Sequence, residues 1–468
     1  MDDFSTPLHH RPLRILIVGG GLSGLALANG LLNASIPVEV MVFERDSHEY
    51  LMERGGYQIR LAQDGITGLK DCLDEPTYAE LKRRYGAGVP EAPTVIDPKT
   101  GDALIRLSRF RMYAKARAMS RRVLRAYLMR KVVAHKLIQF DKSVVGFDII
   151  HANDGEHVKL FFEDGTYEMG DVLIAADGSK SRIAEQMGLN NRTQMHGGYH
   201  LASRGPVSDV VISKLPKVLR EDGSIGFFGP GIYGFVSIYK TEDPGDINTI
   251  SDIPYYQDPH LFWAVSFPGH TPARFNATGR ELKLIQKLHG QELMRSKGIH
   301  PALVDILNIG DIDHMRLTTE METSIQPPYN WRQIAQDRIG RNGGHSRVFI
   351  IGDGMHPMTP GRGMGANQAL RDASALLPFL VSLAKASQYL TPEELCKLVE
   401  KTNVEFEREM FPRAFGWVNA SNRSAEIDVS TRQGKFIIWM LYIFMGVVDW
   451  FLTLLEWIGF RKPNVARL

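Results

Sequence analysis

The 468-residue chain is long enough for two or three domains, and its 44% hydrophobic and 23% charged residues exclude a disordered chain and a polytopic membrane protein. Its 55 basic against 53 acidic residues leave a net charge of +2, which gives no electrostatic reason to expect a nucleic-acid partner. With Cys72 and Cys396 as the only cysteines, no disulfide framework, structural zinc or iron–sulfur site is expected, and a reducing compartment fits.

In chain order, the acidic start Met1-Asp2-Asp3-Phe4 lacks an apolar h-region, so no secretory leader is expected. Arg14 to Val18 is a β-branched run ending in glycines, Leu25 to Leu32 is Ala/Leu-rich, and Val38 to Phe43 is a second apolar run: strand, turn, helix, strand. Ser120 to Leu137 predicts a basic helix with a solvated charged face, and Asp171 to Ala176 a buried strand. From about Thr193 to Asn330 the segments turn aromatic and glycine-punctuated, as in Ile225 to Gly229 and Tyr233 to Tyr239, which predicts a separate, largely antiparallel sheet. Val348 to Ile351 returns to the buried-strand pattern and Asn367 to Ala384 is helical, so the first domain resumes after an insertion.

Gly19-Gly20-Gly21-Leu22-Ser23-Gly24 is a G-x-G-x-x-G between strand and helix. Gly19, Gly21 and Gly24 permit the tight turn, a close approach to pyrophosphate and close helix–strand packing. Glu44 closes the next strand 20 residues beyond Gly24, where a carboxylate accepts from a ribose diol and repels a 2′-phosphate. FAD and NAD both satisfy this pattern. A second carboxylate, Asp353, ends a strand and suits ribityl hydroxyls. The following segment, with Gly363, Gly365, Ala366 and Asn367, opens a helix whose free N–H groups and dipole suit negative charge at N1 and O2 of a reduced flavin.

With these motifs, Ala176-Asp177-Gly178 and Arg121-Arg122-Val123-Leu124-Arg125, the sequence resembles the single-component FAD-dependent monooxygenases of the para-hydroxybenzoate hydroxylase type, to about residue 420. The resemblance implies that Asp177 and Gly178 help hold FAD and a visiting nicotinamide, that Arg121 faces FAD, and that Gln58, where the family usually has glycine, sits at a backbone contact to FAD. It implies an α/β fold: an FAD-binding Rossmann-like domain (12–192 and 340–385) with an inserted, mainly antiparallel β-sheet substrate domain (193–339) and C-terminal helices (386–432); beyond the resemblance, residues 433–468 read as an apolar tail helix. It also implies that NADPH or NADH reduces the flavin transiently and that O2 then forms a C4a-hydroperoxyflavin, which hydroxylates or epoxidises a medium-sized apolar metabolite, aromatic or terpenoid-like. The alternatives are a reductase of the geranylgeranyl-reductase type and a non-turnover FAD protein that binds a metabolite.

A dry pocket is needed for such chemistry, and Phe227, Phe228, Tyr233, Phe235, Tyr239, Phe262 and Trp263 are candidate walls or plain core. Arg204 and Tyr233 are candidates for favouring a substrate phenolate. His196 and His200 read as structural histidines. Phe436 to Phe460 would span about 38 Å as a helix. Its fourteen Leu, Ile, Val or Phe residues favour insertion by about 6 kcal/mol, opposed by about 3 from Asp449. Tyr442, Gly446, Asp449, Thr453 and Glu456 share one narrow face, so membrane contact and packing on the body are both open. Trp439, Trp450, Trp457, Lys435, Arg461 and Lys462 fit a membrane interface. The expected location is cytoplasmic, free or at an intracellular membrane, with peroxisomal targeting through Ala466-Arg467-Leu468 as an alternative.

Overall fold

The computed structural model describes residues 11–457 apart from 54–57, 85–91, 111–115, 153–154, 196–197, 230, 240–259, 269–278, 320 and 423–427. His196 and the terminal tripeptide lie outside these residues. In chain order the strands are β1 (Leu13–Val18), β2 (Val38–Phe43), β3 (Gln58–Leu61), β4 (Thr94–Ile96), β5 (Ala103–Arg106), β6 (Arg117–Ser120), β7 (Ile138–Gln139), β8 (Val144–Ala152), β9 (Gly155–Phe162), β10 (Tyr167–Gly170) and β11 (Val172–Ala175). They continue as β12 (Arg192–Met195), β13 (Gly198–Pro206), β14 (Ser224–Phe228), β15 (Tyr233–Tyr239), β16 (His260–Pro268), β17 (Arg316–Thr318), β18 (Met321–Ser324) and β19 (Val348–Ile350). The principal helices are α1 (Leu22–Asn33), α2 (Arg121–Ala134), α3 (Gly279–Ser296), α4 (Gly365–Ala386), α5 (Pro392–Asn422) and α6 (Arg432–Trp457).

A parallel sheet in the order β19-β11-β1-β2-β7 forms the first layer. Its inner strands are buried on both faces, which is why they read as continuous β-branched runs without alternation. Helix α1 is buried from Leu22 to Leu31, and Gly30 lets α4 approach it closely: a Cβ there would lie 2.7 Å from Leu377. The buried Asn29 amide is satisfied by the carbonyls of Leu25 and Leu128.

The second sheet has seven strands in the order β17-β13-β16-β15-β14-β4-β5, antiparallel except for the β14–β4 pair. Strands β4 and β5, within the stretch expected to belong to the first domain, extend this second sheet instead. Side chains alternate across a strand, so each row of paired residues belongs to one face. Tyr199, Leu201, Trp263, Val265, Phe267, Val236, Ile225 and Phe227 form the face buried beneath α3 and its neighbours. His200, Ala202, Arg204, Phe262, Ala264, Tyr233, Phe235 and Phe228 form the other, less buried face. The aromatic stripe is thereby split: Phe227 and Trp263 are core, and Phe228, Tyr233, Phe235 and Phe262 line the open face. The Tyr239 side chain lies outside the described residues.

The charged face expected for the basic helix is not simply solvated. Arg125 is 1% exposed and donates to the Leu51 carbonyl, while Arg130 pairs with Glu80 and Lys131 with Asp74. These residues bind α2 to its own body.

The deepest polar contact joins three elements. Asp372 on α4 is fully buried; its carboxylate accepts from the Gly352 N–H (2.7 Å) and Arg413 on α5 (2.8 Å), and contacts His356 Nε2 at 2.6 Å. Burial alone would raise its pKa, but His356 and Arg413 outweigh burial and hold the carboxyl below its usual range. Replacing Arg413 leaves a buried carboxylate short of its cation, so Arg413→Met should cost on the order of 3–5 kcal/mol in urea unfolding at neutral pH. A depressed folded-state pKa stabilises above the unfolded value, near 4, and that contribution fades as pH falls through the folded value. The gap between wild type and Arg413→Met should therefore narrow below about pH 4.

Candidate active site

Four predicted positions lie at the carboxyl ends of adjacent parallel strands: Gly19 after β1, Glu44 after β2, Asp177 beyond β11 and Asp353 beyond β19. Crevices outside this edge are where open α/β sheets bind ligands. Gly19 has φ +110, and a Cβ there would lie 2.4 Å from the Ala176 carbonyl oxygen. A Cβ at Gly24 would lie 2.2 Å from the Gly19 carbonyl oxygen. Gly21 has only a distant neighbour, Ala176 O at 3.9 Å, and caps α1 with no side-chain hydrogen bond. The first two glycines are thus required by the protein's own packing, and the third leaves the N-terminal N–H groups of α1 open to an anion.

Glu44 is 6% exposed and accepts from the Gly20 N–H at 2.7 Å and the Asp46 N–H at 2.9 Å, one bond to each oxygen. Each oxygen keeps capacity for a ribose hydroxyl. Asp177 Oδ1 is buried without a hydrogen-bond partner, burial pushes the carboxyl up, and Gly178 has φ +84 with nothing within 4 Å of a Cβ. Such an orphaned oxygen beside open space fits a donor from a bound group.

Asp353 has an exposed side chain although protein surrounds it deeply enough that desolvation raises its carboxyl, opposed by His356, Arg121 and Arg316. A group both desolvated and accessible lines a cleft. Its Oδ1 lies 3.6 Å from the Cβ position of Gly365, at the start of α4. That helix has no side-chain cap and no acidic residue in its first turn, so its N–H groups and dipole are available to a negatively charged ring edge. Gly363, φ +65, makes the turn into it, and Ala366 is the next small residue. The described residues therefore fit FAD.

The Asn367 side chain is occupied by the protein: it accepts from the Ala62 N–H and donates to the carbonyls of Arg60 and Gly363. It orients β3 beneath the cleft and leaves its backbone for a ligand. The Gln58 backbone pairs with Ser120, next to Arg121, while its side chain lies outside the described residues. Arg121 opens α2 and lies close enough to Asp353 to oppose its rise, which brings those two predicted positions together.

Arg204 and Tyr233 share the open face of the second sheet but not a position. They lie four residues apart along the strand direction and two strands apart across it, about 16 Å between Cα atoms. Tyr233 belongs to the row His200, Ser266, Tyr233, Phe228. The His200 Nδ1 to Ser266 Oγ distance is 2.7 Å, Tyr233 is hydrogen-bonded to Ser266, and burial raises the Tyr233 hydroxyl pKa. Burial and Arg316 lower His200 to about 4, so its ring is neutral at neutral pH. Two functional candidates escaped the sequence reading: Ser266, and Arg316, which pairs with Ala202 on the open face and is felt by both His200 and Asp353. Arg316 is thus a positive charge shared by the open face and the Asp353 side of the cleft.

The FAD binding domain family matches residues 316–406, the stretch from Arg316 through α4 to the middle of α5. A dual O-methyltransferase/FAD-dependent monooxygenase of Phaeosphaeria nodorum is 25% identical over 89% of this chain and 46% of its own length. The chain thus spans about half of that relative. A 3-amino-4-hydroxybenzoate 2-monooxygenase of Streptomyces platensis is 26% identical over 80% of each chain. Among solved structures, HpxO of Klebsiella pneumoniae, complexed with FAD and uric acid, superposes with a TM-score of 0.64 at 16% identity, covering 94% of this chain and 93% of its own. In sequence, fold and motif order the chain is similar to FAD-dependent monooxygenases, and the matched domain and the cleft residues make FAD its cofactor.

Asp353→Ala removes a polar anchor from the cleft without touching the buried core, so FAD affinity measured by flavin fluorescence should fall about tenfold or more, with the melting temperature of the apoprotein unchanged. Gly24→Ala should abolish FAD binding and lower apoprotein stability as well, because its Cβ meets backbone rather than a movable side chain.

Proposed function

We propose that the chain is an FAD- and NAD(P)H-dependent monooxygenase that inserts one oxygen atom from O2 into a medium-sized apolar metabolite, aromatic or terpenoid-like, by hydroxylation or epoxidation. The observation that carries this reading is the combination, in one chain, of an FAD-fitting cleft whose helix α4 begins uncapped with a second sheet whose open face is apolar and half-buried. FAD supplies hydride acceptance and oxygen activation there.

The chain's own residues position, exclude water and handle a proton. Phe228, Phe235 and Phe262 give the substrate an apolar floor, with the Phe235 and Phe262 ring centroids 6.3 Å apart. Tyr233 keeps its proton at neutral pH and donates it in a hydrogen bond that orients a phenolic substrate and favours its phenolate, with Ser266 and the neutral His200 ring behind it. Arg204 sits too far from Tyr233 to act on the same atom and suits a remote polar group of the substrate. The nicotinamide donor visits without a dinucleotide fingerprint of its own, and Asp177 is the residue assigned to receive it beside FAD.

The proposed site of action is the cytoplasm, with α6 as an attachment to an intracellular membrane. Among the described residues, Arg432–Leu454 is long and apolar enough to cross one.

The test uses purified full-length protein reconstituted with FAD. NADPH or NADH oxidation should rise on adding an aromatic or terpenoid metabolite, with oxygenated product formed in proportion; a survey of both classes that never raises oxidation removes the proposal. Tyr233→Phe should lower product formation on the order of 100-fold, flatten its pH profile and leave FAD content unchanged, with the nucleotide's electrons diverted to peroxide.

A further inference from the structure

Helix α6 is amphipathic in the reverse sense for a soluble protein. It meets the body along one seam: Ile438 and Met445, seven residues apart, are buried with Val429 against Val95, Ile105 and Phe110. Lys435 Nζ lies 2.5 Å from Asp97 Oδ2, and Tyr442 stands edge-on to Phe110 at 5.6 Å. Of the polar line anticipated from the sequence, Tyr442 and Asp449 fall on this seam side, with Asp449 half-buried, and the Glu456 side chain lies outside the described residues. The opposite arc, about 200° of circumference from Trp439 to Leu441 at 100° per residue, is apolar. Trp439, Phe444, Val447, Trp450 and Phe451 on it are 51–65% exposed. One protein groove covers a stripe, whereas an apolar arc this wide suits a helix lying in the surface of a bilayer with its seam towards the protein. Arg432 at its start, exposed on the arc side, complements an anionic headgroup layer, whereas Lys435 is held on the seam by Asp97.

The seam has a second property. Val95, Ile105 and Phe228 lie on the open face of the second sheet, and the Phe228 carbonyl accepts from the Val429 N–H at 3.1 Å. Phe228 therefore belongs both to the α6 seam and to the sheet face that carries Phe235 and Phe262. We propose that α6 seats the end of this sheet on an anionic lipid bilayer and that a bilayer-dissolved lipophilic substrate enters the cleft beneath α6, over Phe228, without crossing water. This rests on the reading of the open face as the substrate floor.

The FAD-loaded full chain is floated with phosphatidylcholine vesicles, with and without phosphatidylserine, carrying a diazirine-bearing prenyl alcohol in the bilayer, then irradiated and mapped by peptide mass spectrometry. The expected result is flotation strengthened by phosphatidylserine and label on the β14–β15 peptides that carry Phe228 and Phe235. In the double variant Phe444→Glu/Val447→Glu, both should fall by at least on the order of tenfold, with FAD content and melting temperature unchanged. Flotation with label confined to α6 overturns the substrate route. Failure to float, with the chain dimeric in solution, assigns the arc to a second copy and overturns the proposal entirely. Neither readout needs turnover, so a chain that floats and labels but never oxygenates anything leaves this inference standing and removes the proposed activity.

Discussion

The Asp372 carboxylate is the constraint on which the cleft depends. A buried charge is tolerable only when its neighbours satisfy it, and here they are the backbone of the turn after β19, the His356 ring and Arg413 from α5. Holding the Gly352 N–H fixes the turn at φ +62 and so aims the next residue, Asp353, into the cleft rather than the core. The same carboxylate sits on α4, so the helix start and the cleft acid are set by one group. Arg413 extends this to α5 and also bonds Gln368, tying the C-terminal helices to the cofactor domain.

The second constraint is the two-residue period of the inserted sheet. Once Trp263, Val265 and Phe267 are committed to the helix-covered core, Phe262, Ala264 and Ser266 must face the other way. The site-facing wall is thus the obligatory reverse of a well-packed core, and its chemistry depends on which residues occupy the alternate positions. His200, Ser266 and Tyr233 align because three neighbouring strands pair in register, with no motif linking them.

What was legible in the sequence follows this division. The glycines at 19 and 24 could be read because backbone contacts under 2.5 Å exclude every side chain, and Glu44 because one spacing serves many such turns. The parallel strands were legible as unbroken apolar runs and the inserted sheet as glycine-punctuated aromatic ones. Facing was not: Phe227 and Phe228 are adjacent and identical, yet one is core and the other lies on the open face. Arg125 looked solvated because its partner, the Leu51 carbonyl, is 74 residues away. Arg316 carries no motif, since a three-residue strand offers no pattern to read. The transfer of β4 and β5 to the second sheet arises from a parallel pairing with β14 across more than 120 residues of chain, which no local signal encodes.

The central claim is that oxygen activated in this cleft reaches a substrate lying on the open face. Turnover of a substrate identified by its stimulation of NAD(P)H oxidation, run under labelled oxygen gas in ordinary water, tests it most directly. The account predicts one labelled oxygen atom in each product molecule. Product of altered mass carrying oxygen from water, or an altered product with no added oxygen, would contradict it.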